Sequence, residues 1–203
     1  ETFEKYQQFP EYQKINKDMQ LSEFKLIFFW EYLHRLLGRL IGLVFIIPFV
    51  IFWINNWLNP KQKNQLLILL GLGALQGFLG WFMVKSGLVD VPAVSHFRLA
   101  IHLVTAFGLM CYIYWLILSF TEAEKRVNKT INKLSQYLII ALLIQIIYGA
   151  FVAGLKAGYL LPANGGIFKS IFGYSFRNSN DFNLLNNGFD IQAFHRLFAW
   201  IVF

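Results

Sequence analysis

Along the chain, polar and charged positions are gathered into short stretches, and between them run apolar segments at 26–54, 66–84, 97–120 and 136–155. Each reaches about the 20 residues that carry an α-helix across the hydrocarbon of a bilayer. The pattern predicts four spanning helices. A fifth apolar run opens near Ile191, and its 13 residues, 191–203, are too few to span, which predicts a truncated chain. Pro48 inside the first segment predicts a kink of the sort that membrane helices tolerate. The polar stretch 1–25 lacks the basic start and apolar core of a signal peptide and predicts an outward-facing segment that is not a native N-terminus. The fold class expected is all-α, a polytopic membrane helical bundle.

Composition agrees: 57% of the 203 residues are hydrophobic and 14% charged, against about 25% charged in a soluble domain. The net charge of +7 changes the picture only through its placement. Lys61 and Lys63 follow the first segment, and Lys125, Arg126, Lys129 and Lys133 follow the third, so the positive-inside rule puts both loops inside. No nucleic-acid partner is implied. The stretch 1–25, the turn around Asp90, Val91 and Pro92, and the Gly- and Asn-rich connection 156–190 then face outward, and Trp30, Trp53 and Trp57 stand where an aromatic belt is expected. The single cysteine, Cys111, lies within an apolar run and reads as inert packing.

The candidate chemistry lies in polar residues within the spans, since ionisable groups there are costly and mark functional sites. Of four histidines, His34, His102 and His195 stand near the starts of the three segments that begin outside, about 12, 8 and 6 Å along them at 1.5 Å per residue. Two imidazoles from different helices can clamp a haem iron axially, and His34 and His102 suit that arrangement. Arg98, one turn before His102, and Arg35 and Arg39 beside His34 offer cations for haem propionates. The plainer alternative is that each histidine closes a polar network while each arginine reaches for headgroups. Glu31 lies three residues before His34 and four before Arg35. It is either an ordinary ion-pair partner of Arg35 or a carboxylate able to move protons at a substrate edge. His96 is expected to be a solvated interfacial histidine. Gly77, Gly80, Gly87, Gly149, Gly154 and Gly158 read first as close-packing positions.

A faint repeat links Glu31-Tyr32-Leu33-His34-Arg35-Leu36 to Phe194-His195-Arg196-Leu197, one block of four helices apart. With Glu23-Phe24-Lys25, Gly38 and Arg39, Gln76-Gly77-Phe78-Leu79-Gly80-Trp81, Lys85-Ser86-Gly87-Leu88, Ser95-His96-Phe97-Arg98-Leu99-Ala100-Ile101-His102, and Gly149-Ala150-Phe151-Val152-Ala153-Gly154-Leu155, the chain resembles the haem A synthase family over about residues 6 to 200. Its likeness is to the proteobacterial and mitochondrial branch. It departs at Tyr159-Leu160-Leu161-Pro162-Ala163-Asn164, where the family usually has an Asn-Thr-aromatic-Pro-Leu-Met block.

The resemblance implies a fragment of an eight-helix protein made of two four-helix repeats. Residues 26–120 would be three helices of an N-terminal, substrate-haem half, 121–134 a basic inner loop, and 135–203 the start of a C-terminal half that holds haem b. It implies that His34 and His102 are axial ligands of haem O, the substrate, and that Glu31 is the acid in its oxidation. His195 would ligate haem b, with Arg35, Arg39, Arg98 and Arg196 as further haem-binding residues. The implied reaction oxidises the C8 methyl of haem O to a formyl group by successive hydroxylations. Partners on this reading are the bilayer, haem O, an electron donor such as a ferredoxin, haem O synthase and a second copy of the chain. The location would be a bacterial cytoplasmic or mitochondrial inner membrane, with the histidines toward the outer side. The alternative is a cytochrome b-type electron-transfer subunit with no chemistry on the macrocycle.

Overall fold

The structure, a computed structural model, describes residues 2–87, 94–120, 128–160 and 182–202. The expected turn at Asp90, Val91 and Pro92, the basic residues Lys125 and Arg126, and Pro162 to Asn164 lie outside the described residues. Every regular element described is helical: α1 (Thr2–Tyr6), α2 (Pro10–Lys14), α3 (Leu21–Ile54), α4 (Pro60–Gly87), α5 (His96–Phe120), α6 (Lys129–Gly154), a 3-10 turn (Ala157–Tyr159) and α7 (Gly188–Val202). Four of them, α3 to α6, are long and apolar enough to cross a membrane, so the chain is a multi-pass membrane protein. Their surfaces agree: Ile41, Val44 and Ile54 on α3 are each about 70% exposed, as suits helices whose apolar side chains face lipid.

Three of the four long helices begin several residues before their apolar segments, because polar caps start them. Gln20 and Glu23 form a reciprocal box at α3, in which the Glu23 carboxylate accepts from the Gln20 amide at 2.8 Å. Asn59 and Gln62 do the same before α4, at 2.9 and 3.0 Å. Asn128 Oδ1 accepts from the amides of Thr130 and Ile131 at the head of α6, so Lys129 and Lys133 are helical. α3 continues through Pro48.

The chain divides into two compact units. The first comprises 1–93 and 108–120, and the second 94–107 and 121–203, so α5 contributes its two halves separately. In the first unit the polar N-terminus is not a bare tail. α1 folds its rings onto Phe24, with Phe3 and Tyr6 at 5.1 and 5.0 Å, Tyr12 of α2 packs edge-on to both of these, and Phe28 and Tyr32 extend the row along α3. Burial pushes the Tyr6 phenol above its ordinary value, and the Glu11 and Glu31 carboxylates add to this, against a hydrogen bond from Asn16. Farther along, Tyr112 donates to the carbonyl of buried Gln65 at 3.1 Å, joining α4 to the second half of α5.

The second unit has a continuous core: Ala100 of α5, Ala150 and Phe151 of α6, and fully buried Ile191 of α7. Leu99, Leu103, Ile147, Tyr148 and Val152 pack around it. α6 ends at Gly154, yet the left-handed residue after it is Lys156, at φ 51°, where a glycine is usual. Gly154 is occupied otherwise: a methyl placed on it would stand 2.7 Å from His96 Cα and Cβ. The helix stop therefore moves on, and α5 and α6 touch through backbone. α7 is held at its start by Asn187, whose side chain accepts from Phe189 N, and by buried Asp190, which accepts from Asn183 N at 2.8 Å.

Candidate functional site

His195 stands against α6. It lies about two turns into α7, half-buried, with the Cε1 edge of its ring against α6: a methyl built on Gly149 would stand 3.2 Å from Cε1, 3.8 Å from Nε2 and 3.9 Å from Nδ1. Gln145, one turn earlier on α6, donates from Nε2 to the His195 carbonyl at 3.1 Å. His195 Nδ1 is buried and has no hydrogen-bond partner among the described residues, while the ring also lies by the Gln145 backbone. Gln145 Oε1 and Gln192 Oε1 are likewise buried without partners. Buried polar atoms are ordinarily satisfied, so these unpartnered atoms on α6 and α7 stand out. An imidazole with a free nitrogen, held between two helices, is the kind of donor that axial ligation of haem iron needs, and the residues present fit that role. Arg196 beside it is exposed.

His96 departs from the expectation of a solvated residue. Its ring is half-buried, packed on Phe97 at 4.1 Å and edge-on to Phe151 at 5.1 Å, with Nε2 2.8 Å from the carbonyl of Leu185. The cause is local: backbone contact with Gly154 places the ring over the end of α6, where the turn before α7 supplies an acceptor. His96 therefore joins α5, α6 and the segment before α7.

His102 and Arg98 are both half-buried and lie four residues apart, on one face of α5. The His102 carbonyl accepts from Thr105 Oγ1 at 3.0 Å. Both belong to the second unit, whereas His34 belongs to the first. His34, Arg35 and Arg39 are exposed on α3, and Glu31 forms an ion pair with Arg35 four residues on. This is the pairing that the spacing allowed as the ordinary reading of Glu31. Measured from the observed helix starts, His34 lies between three and four turns into α3, while His102 and His195 lie about two turns into α5 and α7. The offsets of about 12, 8 and 6 Å expected from the apolar segments do not carry over to the helices, because the capping box starts α3 early.

The glycines divide in the same way. Gly149, Gly154 and Gly188 make close approaches, the last against Leu160 and Ala157. Gly77 and Gly158, expected to pack closely, have nothing within 4 Å of a built methyl among the described residues. Gln145 and Gln192 were not anticipated, although an uncharged amide inside a span is itself a signal, since lipid offers it no partner.

The chain matches the model of the family described as cytochrome oxidase assembly protein (COX15-CtaA) over residues 1–203. It is similar to proteins named haem A synthase. That of Flavobacterium johnsoniae is 47% identical over 98% of this chain and 61% of the relative. That of Flavobacterium psychrophilum is 54% identical over 79% and 48%, and that of Pelagibacter ubique 38% identical over 98% and 60%. The chain thus spans about half to three-fifths of the length of these relatives. No solved structure matches it. With the family matched along all 203 residues, and glutamine- and glycine-lined helices holding a histidine between them, the chain belongs to the cytochrome oxidase assembly protein family.

Proposed function

We propose that this chain is part of a haem A synthase, an oxidoreductase that converts the C8 methyl of haem O to a formyl group by successive hydroxylations inside a membrane helix bundle. The observation that carries this reading is the likeness to proteins of that name across 98% of the chain. The buried, unpartnered Nδ1 of His195 supports a haem at the α6–α7 pair.

On this reading His34 and His102 are the axial ligands of the substrate haem O in an N-terminal half, residues 26–120, and His195 is one ligand of haem b in a C-terminal half that begins after the basic loop 121–134. Haem b, when bound, supplies a one-electron carrier. The arginines Arg35, Arg39, Arg98 and Arg196 orient propionates by charge-assisted hydrogen bonds. Glu31, three residues from His34 on the same helix face and ion-paired with Arg35, holds or releases a proton at the edge of the substrate. The electron donor is of the ferredoxin class, and haem O synthase and a second copy of the chain are further partners. The membrane is the bacterial cytoplasmic or mitochondrial inner membrane, with the histidines toward its outer side, as the lysines and arginines of the inner loops favour.

The Glu31–Arg35 pair also favours the second reading, a cytochrome b-type electron carrier, in which Glu31 has no chemical task. Haem extraction separates the two. The intact protein, supplied with haem O, should yield haem O or A besides haem B; haem B alone, whatever is supplied, selects the electron carrier. For Glu31→Ala we expect bis-histidine spectra to persist while formyl product falls to background. Full turnover by that variant would remove Glu31 from the chemistry.

A further inference from the structure

The turn of α6 opposite His195 is shaped to that ring. Gln145 and Gly149 are four residues apart and so share one helix face. Gln145 holds the His195 backbone through its carbonyl at 3.1 Å. Gly149 receives the ring itself, at the Cε1 edge between the two nitrogens, so closely that one added methyl would stand at 3.2 Å. The ring cannot retreat by sliding the helices apart, because Ala150 and Phe151 beside Gly149 are buried against Ile191, one turn before His195. Tyr148 and Phe194 close the same interface with ring centroids 4.3 Å apart.

We infer that the α6 turn carrying Gln145 and Gly149 is a positioning cradle for the His195 imidazole: Gln145 fixes where the backbone of α7 stands, and Gly149 fixes how near the ring comes and hence which way its nitrogens face. Both are positioning residues, acting through His195. Residues that orient a metal-bound histidine from outside are worth about 10- to 100-fold in metal affinity. The cradle rests on the reading of His195 as a haem ligand, and its test keeps the two apart.

In the intact protein, four variants are compared by haem content and by the electron paramagnetic resonance spectrum of the low-spin ferric haem, whose g values follow the orientation of the axial imidazole. Gly149→Ala should keep its haem and shift the highest g value. Gly149→Leu should lose the haem bound through His195 and retain the other. Gln145→Leu should release that haem about 10- to 100-fold more readily. His195→Ala should lose it outright. If His195→Ala removes a haem while both Gly149 variants keep wild-type content and g values, the cradle is wrong and the ligand reading stands. If His195→Ala keeps every haem and an unchanged spectrum, the ligand reading fails and the cradle with it. Should Gly149→Leu fail to accumulate, the single methyl of Gly149→Ala decides: an unmoved g value overturns the proposal. Gly158→Ala, where a methyl meets nothing within 4 Å, is the control expected to match wild type.

Discussion

The two units use glycine in opposite ways. In the first, methyls built on Gly38, Gly42, Gly71, Gly73, Gly77 and Gly108 would meet nothing within 4 Å among the described residues, and the side chains of α3 around them point outward. In the second, Gly149, Gly154 and Gly188 each lie under another group, an imidazole, a backbone and a leucine, and Gly158 is the open exception among the described residues. Glycine in a membrane helix is thus no uniform signal of close packing. What distinguishes the cases is whether a partner helix is drawn in by polar contacts, as α7 is by Gln145 and α5 by His96. The histidines follow suit. His195 sits in a formed seat, while His34 stands on a face left open among the described residues.

The largest effect that separates the units is expected at the core of the second. Phe151 is 6% exposed and makes ring contacts with His96, Phe97 and Tyr148. Phe151→Ala leaves a cavity between α5, α6 and α7, and should cost about 3 kcal/mol, read as a lowered melting temperature in detergent. It should also loosen His195, so haem retention falls with stability. A loss below about 1 kcal/mol would mean that this core does not hold the unit together.

Next comes Gly154→Ala. The added methyl meets His96 Cα and Cβ at 2.7 Å, and a backbone atom cannot swing aside as a side-chain tip can. Overpacking of this kind costs about 1–3 kcal/mol, so the melting temperature should fall while the first unit stays intact to limited proteolysis. Unchanged stability would show that α5 can move off α6 without penalty.

Much of this contrast was legible in the sequence as elements and little of it as contacts. Four spans and a shorter fifth helix follow from apolar periodicity, and all five are present. The helix starts were missed because Gln20, Glu23, Asn59 and Asn128 lie in polar sequence that hydrophobicity does not register. His96 was misread for a different reason: its partners, Gly154 and Leu185, lie 58 and 89 residues away, and nothing near His96 in the chain announces them. At the candidate site the histidines could be picked out, since a titratable group in a span is conspicuous. Gln145 and Gly149 could not be assigned to His195, because that requires knowing which helix stands opposite α6. Equally, Gly77 and Gly149 look alike in sequence, and only the neighbour tells them apart.

The smallest effect is the most direct test of the comparison. Gly38 lies one turn beyond His34 on α3, and a methyl there is unopposed. Gly38→Ala removes the backbone freedom of glycine from a helix interior and should stabilise, by no more than about 1 kcal/mol. The proper reference is Gly154→Ala in the same intact protein and detergent, where the sign is expected to reverse. If Gly38→Ala instead destabilises as much as Gly154→Ala does, the face of α3 below His34 is covered in the intact protein. The first unit would then resemble the second. Weaker haem O retention with an unchanged melting temperature would instead put the macrocycle over that face, since a methyl beneath a flat ring displaces the ring and leaves the helices where they are.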